Sequence, residues 1–106
     1  MKTIAIIDDD IYIGNMLEDI LFREGYKVLR AYSGTEALLL LSKNKPNLIL
    51  LDLMLPGIPG ETVLEKIKSA MDIPIIGVSA KTDIDSKVNL IRNGADDYIT
   101  KPFEIK

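Results

Sequence analysis

The chain of 106 residues lacks both cysteine and histidine. Without cysteine it can form neither a disulfide nor a thiolate metal site. Without histidine it can build neither an imidazole-ligated zinc site nor acid–base chemistry on an imidazole. The apolar run at the amino terminus, within MKTIAIIDDD, is too short for a signal peptide or a membrane span. A cytoplasmic protein with no membrane partner is therefore predicted.

Charge and size are those of an ordinary globular domain. The net charge of −3 argues against direct contact between this segment and nucleic acid. Apolar residues make up 47% and charged residues 27% of the sequence, a balance that allows a buried core. No linker, repeat or low-complexity tract interrupts the chain, so a single domain over residues 1–106 is predicted.

Hydrophobic periodicity predicts strands that alternate with helices along the whole chain. Short apolar runs typical of buried strands cover residues 3–7, 47–52 and 73–80, residues 26–32 alternate as in a strand, and residues 97–100 are predicted as a last short strand. Apolar residues at helical spacing cover residues 11–24, 33–42, 61–71 and 83–93. Ser33 and Glu36 have the spacing of a capping box at the start of the second helix.

This alternation predicts an α/β fold in which helices cover both faces of a parallel sheet. Right-handed crossover connections make such a sheet doubly wound. Ligands of doubly wound sheets bind beyond the carboxyl ends of the strands. The functional site is therefore expected at that edge.

Charged and polar residues follow the predicted strands at this edge. They are Asp8, Asp9 and Asp10 after the first strand, Asp52 at the end of the third, Ser79 near the end of the fourth and Lys101 after the fifth. Clustered carboxylates repel one another unless a cation lies among them. Oxygen ligands favour a hard divalent ion such as Mg²⁺. With Lys101 as a second positive charge, the set predicts a phosphoryl site with a carboxylate nucleophile.

Each of these residues also has an ordinary structural interpretation. One aspartate before a helix is typical of an N-cap, which suits Asp10 better than Asp8 or Asp9. Asp52 alone fits a turn at the end of a strand, and Lys101 alone fits a solvated surface lysine. The functional interpretation is favoured because all of these residues are expected at one edge of the sheet.

The motifs resemble those of the receiver domain of two-component response regulators, and the resemblance extends from Met1 through Lys106. IAIIDDD is similar to the acidic-pair strand of that family, and LILLDLMLPGIPGE to its phosphoacceptor segment. PIIGVSA and GADDYITKPF are similar to the segments that carry its hydroxyl, switch aromatic and lysine. The resemblance implies a five-stranded sheet of flavodoxin-like order 2-1-3-4-5.

The resemblance implies phosphorelay signalling, with Asp52 accepting a phosphoryl group from the phosphohistidine of a sensor histidine kinase. Lys101 would pair first with Asp52 and then with a phosphoryl oxygen. The Ser79 hydroxyl and the Tyr98 ring would then move toward the site, because a new dianionic group attracts hydrogen-bond donors. Such a domain catalyses its own phosphorylation and dephosphorylation only, and is otherwise not an enzyme.

Mg²⁺ is the cofactor that the resemblance implies. Asp9, Asp52 and the backbone carbonyl of Met54 would bind the ion directly, and Asp8 would bind it through water. The apolar LILL run would anchor the third strand in the core, so that Asp52 is held rigidly at its tip.

The ending DYITKPFEIK resembles regulators that carry a C-terminal winged-helix DNA-binding domain, which implies control of transcription by the intact protein. A receiver domain of this family normally continues into a fifth helix. The expectation is a domain truncated before that helix, with more apolar surface exposed than a monomer usually tolerates. A homodimer or an element-swapped oligomer is expected on that basis.

Three other functions fit parts of the sequence. An aspartate-nucleophile phosphatase needs a second acid two residues after the nucleophile, where this chain has Met54. A flavodoxin-like electron carrier needs a phosphate-binding loop after the first strand, where the aspartates would repel the flavin phosphate. A receiver-like protein–protein interaction module that is never phosphorylated is the remaining alternative.

Overall fold

A parallel, five-stranded sheet forms the centre of the molecule, in the order β2-β1-β3-β4-β5. The computed structural model describes residues 1–80 and 94–101. The strands are β1 (Thr3–Ile7), β2 (Lys27–Ala31), β3 (Leu48–Asp52), β4 (Ile75–Ala80) and β5 (Asp97–Lys101). The described helices are α1 (Ile11–Arg23), α2 (Gly34–Lys43) and α3 (Gly60–Ala70). The predicted α/β fold class and strand order are confirmed.

The main core lies between the sheet and helices α2 and α3. Alternate residues of the central strands point to this side and pack against the apolar faces of the two helices. Its fully buried large side chains are Ile7, Ile49, Leu51, Val63, Leu64 and Ile75. Burial of each such side chain stabilises the fold by about 1.5–3 kcal/mol. The core therefore holds the ends of β1 and β3 in fixed positions.

Helix α1 covers the opposite face of the sheet. Ile4 and Ile6 alternate with the core residues of β1 and are themselves buried. Arg30 is in register with Ile6 on the neighbouring strand, and its guanidinium lies against Gly14 of α1. Helices thus lie on both faces, as in a doubly wound sheet.

The start of α2 is capped at the predicted residue with one difference in detail. The Ser33 hydroxyl accepts a hydrogen bond from the Glu36 N–H at 3.1 Å, as expected of an N-cap. The Glu36 carboxylate accepts the N–H of Tyr32 at 2.7 Å, one residue earlier than in a capping box. The reciprocal bonds still fix the turn that joins β2 to α2.

Strand β4 begins at Ile75, slightly later than the sequence predicts. Pro74 has no N–H for the ladder and so precedes the strand, where its carbonyl accepts the Ile49 N–H at 3.0 Å. The helix predicted over residues 83–93 lies outside the described residues. Among the helices in the described part of the chain, none has the length and apolar character needed to cross a membrane.

Candidate functional site

Aspartates converge at the carboxyl edge of the sheet because β1 and β3 are neighbouring strands. Ile7 is in register with Leu51, so Asp8 and Asp52, which follow them, lie at the same level of the edge. Carboxylate oxygens of Asp8, Asp9 and Asp52 all lie within 4.8 Å of one another. These three carboxylates are called the acidic cluster below.

The backbone fixes two members of the acidic cluster in buried positions. Asp8 is 3% exposed and Asp52 is 2% exposed, whereas Asp9 is exposed to solvent. The Asp8 carboxylate accepts the Asp10 N–H at 2.9 Å, and the Asp52 carboxylate accepts the Met54 N–H at 2.9 Å. Both bonds have the form of an Asx turn, so the local backbone determines the direction of each side chain.

Asp10 has a separate role as the N-cap of α1. Its Oδ1 accepts the N–H of Tyr12 at 3.0 Å and the N–H of Ile13 at 3.1 Å. These donors would otherwise have no partner within the helix. The run of three aspartates therefore divides into two residues of the acidic cluster and one helix cap, as the sequence indicates.

The acidic cluster has the ligand chemistry of a divalent cation site. Two buried carboxylates close to a third negative charge repel one another, and a cation among them offsets this cost. Every donor in the cluster is a carboxylate oxygen, the ligand that hard cations such as Mg²⁺ and Ca²⁺ prefer. These residues could hold a metal ion.

Exposed residues flank the buried Asp52. Asp9 lies within the acidic cluster, and Met54 is 70% exposed while its N–H is bound to Asp52. A ligand could therefore approach Asp52 from the side of these two residues. The function of the Met54 carbonyl as a metal ligand stays a prediction.

Strands β4 and β5 bring the backbones of two further predicted residues to the same edge. Val78 pairs with Asp52, so Ser79 lies one residue beyond the level of Asp52 on the adjacent strand. Lys101, the last residue of β5, pairs with Ala80. The side chains of Ser79 and Lys101 lie outside what the structure describes, and their functions stay predictions.

Tyr98 lies on β5 in register with Gly77, before the level of Asp52. The residue is 41% exposed, and its N–H is hydrogen-bonded to the Asp97 carboxylate at 2.8 Å. This partial exposure fits both a switch aromatic and an ordinary half-buried strand residue. Its function as a switch stays a prediction.

Asp96 is a charged residue whose environment the sequence does not indicate. Its Oδ2 accepts the Ile75 N–H at 2.8 Å and a hydrogen bond from Lys68 Nζ at 2.9 Å. The bond from Ile75 lowers the pKa of Asp96 below its usual value, and Lys68 lowers this pKa further. Because Ile75 begins β4, Asp96 lies at the amino edge of the sheet, far from the end of the strand that pairs with Asp52.

Gly60 is a second residue that sequence reasoning missed. The PGIPG segment indicates a tight turn, and Gly57 within it has a φ of 79°. Gly60 instead begins α3 and is buried against the backbone of Leu53, the residue after Asp52. The sequence does place a glycine directly before the predicted helix. This position does not indicate which segment the glycine contacts.

Comparison with known proteins identifies the family. A family model for the response regulator receiver domain matches residues 4–106. The chain is 40% identical over 105 residues to the protein named "Probable transcriptional regulator ycf27" from Cyanophora paradoxa. That alignment covers 99% of this chain and 44% of the relative, so the chain spans less than half the length of that protein.

Solved structures of receiver domains have the same fold. A two-component response regulator from Clostridium difficile is 31% identical with a TM-score of 0.94, and the match covers 98% of this chain and 86% of that one. A CheY-like receiver domain protein from Methanospirillum hungatei is 35% identical with a TM-score of 0.90, covering 98% of this chain and 84% of that one. The chain therefore belongs to the family of response regulator receiver domains of two-component signalling.

Proposed function

We propose that the chain receives a phosphoryl group on Asp52 from a sensor histidine kinase. The observation that carries this proposal is the acidic cluster, with carboxylate oxygens of Asp8, Asp9 and Asp52 within 4.8 Å of one another at the carboxyl edge of the sheet. Asp52 is the member at the tip of the central strand β3, between β1 and β4. A rigid strand end keeps the nucleophile in a defined position as the donor approaches.

Mg²⁺ is the proposed cofactor of this site. Asp9, Asp52 and the backbone carbonyl of Met54 would bind it directly, and Asp8 would bind it through water. When bound, the ion supplies positive charge that offsets repulsion between the carboxylates and the incoming phosphoryl oxygens. The acidic cluster supports this assignment because it offers only oxygen donors.

The proposed transfer is a displacement at phosphorus. An oxygen of the Asp52 carboxylate forms the new O–P bond while the N–P bond of the kinase phosphohistidine breaks. The imidazole nitrogen keeps the electron pair of the broken bond, and Asp52 becomes an acyl phosphate. Lys101 would neutralise a phosphoryl oxygen. Attack by water on phosphorus later restores the carboxylate and releases inorganic phosphate, so the domain turns over its own phosphoryl group only.

The proposed response is a change in the surface around Ser79 and Tyr98. A phosphoryl group adds strong acceptor oxygens, toward which the Ser79 hydroxyl would turn. Tyr98, 41% exposed in this structure, would then move inward into the space that opens. Another domain or a partner protein would recognise the difference in exposure of the Tyr98 ring between the two states.

Control of transcription is the proposed output of the intact protein. The curated relative from Cyanophora paradoxa is named as a transcriptional regulator, and this chain covers 44% of its length. A winged-helix DNA-binding domain in the remaining part would supply the DNA contact. The segment itself, with its net charge of −3, would make no such contact.

Phosphorylation by acetyl phosphate in the presence of Mg²⁺ tests the proposal directly. Intact-mass spectrometry is expected to show the addition of one phosphoryl group to the wild type and none to Asp52→Asn. Asp10→Asn is the matched control, because it removes a nearby carboxylate while asparagine still caps a helix. A phosphoryl group that persists on Asp52→Asn would refute the assignment, and the absence of any modification would favour the unphosphorylated interaction module.

A further inference from the structure

Gly60 holds the first turn of α3 against the backbone that leaves the proposed phosphoacceptor. A methyl group on residue 60 would place its Cβ 2.5 Å from the Leu53 Cα and 2.8 Å from the Leu53 carbonyl oxygen. Real Cβ contacts essentially never fall below 3.0 Å. Any residue other than glycine at position 60 therefore has to displace either α3 or Leu53.

Helix α3 is the side less able to move. Val63 and Leu64 follow Gly60 by one turn and are completely buried in the main core, and Ile67 continues the same buried face. A shift of α3 would disturb all of these contacts at once, and close-packed cores resist such changes. Leu53 is also buried in this core, but it belongs to the irregular segment between β3 and α3, so the displacement is expected in that segment.

Movement of Leu53 changes the acidic cluster because both of its neighbours belong to the proposed site. Asp52 precedes it, Met54 follows it, and the Met54 N–H binds the Asp52 carboxylate at 2.9 Å. Leu53 itself is tied to β4 through a hydrogen bond from its N–H to the Val78 carbonyl at 3.0 Å. A side chain at position 60 would displace Leu53 and strain its hydrogen bond to Val78. The same displacement would reorient both Asp52 and Met54.

Resting on the proposed function of Asp52, we propose that Gly60 is a positioning residue for the cation and phosphoryl site. Its missing side chain allows the backbone of Leu53 to seat directly on α3. This contact between Leu53 and α3 in turn determines the direction of the Asp52 carboxylate and of the Met54 backbone. Gly60 touches none of the reacting atoms and acts only through Leu53.

Comparison of Gly60→Ala with Gly34→Ala separates positioning from loss of stability. Gly34 also begins a helix, and its two nearest contacts would be side-chain atoms, with the added Cβ 2.8 Å from Val63 Cγ2 and 3.1 Å from Ile58 Cβ. Both variants are expected to lose thermal stability because both overfill a tight contact. Of the two, Gly60→Ala places the new methyl group on the backbone of Leu53.

Two measurements on these variants decide the proposal. Amide hydrogen exchange at Met54 without metal is expected to be about tenfold faster in Gly60→Ala, because its bond to Asp52 is weakened. Calorimetric titration is expected to show Mg²⁺ affinity reduced by about tenfold in Gly60→Ala and little changed in Gly34→Ala. If Gly60→Ala folds poorly, a stabilising osmolyte restores the compact state for both measurements.

Equal Met54 exchange and equal Mg²⁺ affinity in the two variants would overturn the positioning function of Gly60. Failure of the proposed function would look different, since the wild type would then gain no phosphoryl group from acetyl phosphate. The exchange measurement needs neither metal nor phosphoryl donor. It therefore decides whether Gly60 orients Asp52 even in that case.

Discussion

Three consecutive aspartates have three different environments, although their side chains are identical. Asp8 is buried and accepts a backbone N–H, Asp9 is exposed beside it, and Asp10 caps α1. The cap could be predicted from sequence because it depends only on residues within one helical turn. The partner of Asp8 and Asp9 across the sheet, Asp52, could be predicted only by assuming the strand order.

The different functions of these aspartates predict different effects of substitution. Asp10→Ala removes the acceptor for two backbone N–H groups and is expected to lower the free energy of unfolding by about 1 kcal/mol. Asp10→Asn keeps a capping oxygen and is expected to lose only a few tenths of a kcal/mol. Urea denaturation measures both values, and an equal loss in the two variants would show that the charge of Asp10, rather than its cap, is what stabilises the protein.

At the scale of secondary-structure elements, Arg30 links β2 to α1. Its Nη1 donates to Asn15 Oδ1 at 3.0 Å and to Glu18 Oε1 at 2.7 Å, and its side chain is 11% exposed. The guanidinium crosses α1 at Gly14, where a Cβ would overlap it. This contact explains a glycine in the interior of a helix, which costs about 1 kcal/mol relative to alanine.

A double-mutant cycle tests the contact between Gly14 and Arg30. Gly14→Ala alone is expected to lower the free energy of unfolding by about 1 kcal/mol, because the new methyl group displaces a guanidinium held by Glu18. In an Arg30→Ala background the same change is expected to raise stability by up to about 1 kcal/mol, through helix propensity. Additive effects in chemical denaturation would contradict the contact.

Asp96 joins three elements at the amino edge of the sheet. Its carboxylate binds the first N–H of β4 and the ammonium of Lys68 on α3, and it directly precedes β5. Lys68 also donates to the Ile73 carbonyl at 3.0 Å, which closes the connection between α3 and β4. The hydrogen bonds from Ile75 and, to a smaller extent, from Lys68 lower the pKa of Asp96 from its ordinary value of 3.8.

The lowered pKa of Asp96 predicts a pH-dependent contribution to stability. Because the pKa is lower in the folded state, the contribution is present above the unfolded pKa and is lost as pH falls through the folded pKa. Asp96→Asn is expected to cost about 0.5 kcal/mol at neutral pH, a small value because the exposed carboxylate is screened by solvent. This difference should shrink in unfolding experiments below the unfolded pKa of 3.8.

Asp72→Asn provides the control for Asp96, since it removes one negative charge from an exposed residue near the start of β4. If the loss of one negative charge alone explained the effect of Asp96→Asn, the two variants would show the same pH profile of stability. A difference between Asp96→Asn and the wild type that stays constant from neutral to acid pH would argue against the ion pair and hydrogen bond as its origin.

At the scale of the whole molecule, the sequence predicts the fold because its signals agree with one another. Apolar runs mark the strands, Asp10 and Ser33 mark helix starts, and alternation of elements determines a parallel sheet. The same alternation predicts that strand-end residues meet at one edge. That Asp8 and Asp9 lie beside Asp52 could be predicted only with the strand order, which the family resemblance implies.

The contacts that the sequence did not indicate are close approaches between different elements or between an element and a connecting segment. Gly60 against Leu53, Gly14 against Arg30, and Asp96 beside Lys68 depend on the separation of elements to within about an ångström. Hydrophobic periodicity determines which face of an element is buried, but not how near two backbones lie. Such contacts become visible only in the structure.

The central claim is that the carboxylates at the sheet edge form one cation site beside the phosphoacceptor. Calorimetric titration of Mg²⁺ into the wild type, Asp9→Asn and Asp10→Asn tests it most directly. The wild type and Asp10→Asn are expected to bind Mg²⁺ with similar affinity, and Asp9→Asn to bind it at least about tenfold more weakly. Equal affinities in Asp9→Asn and the wild type, or no binding to the wild type, would contradict the account.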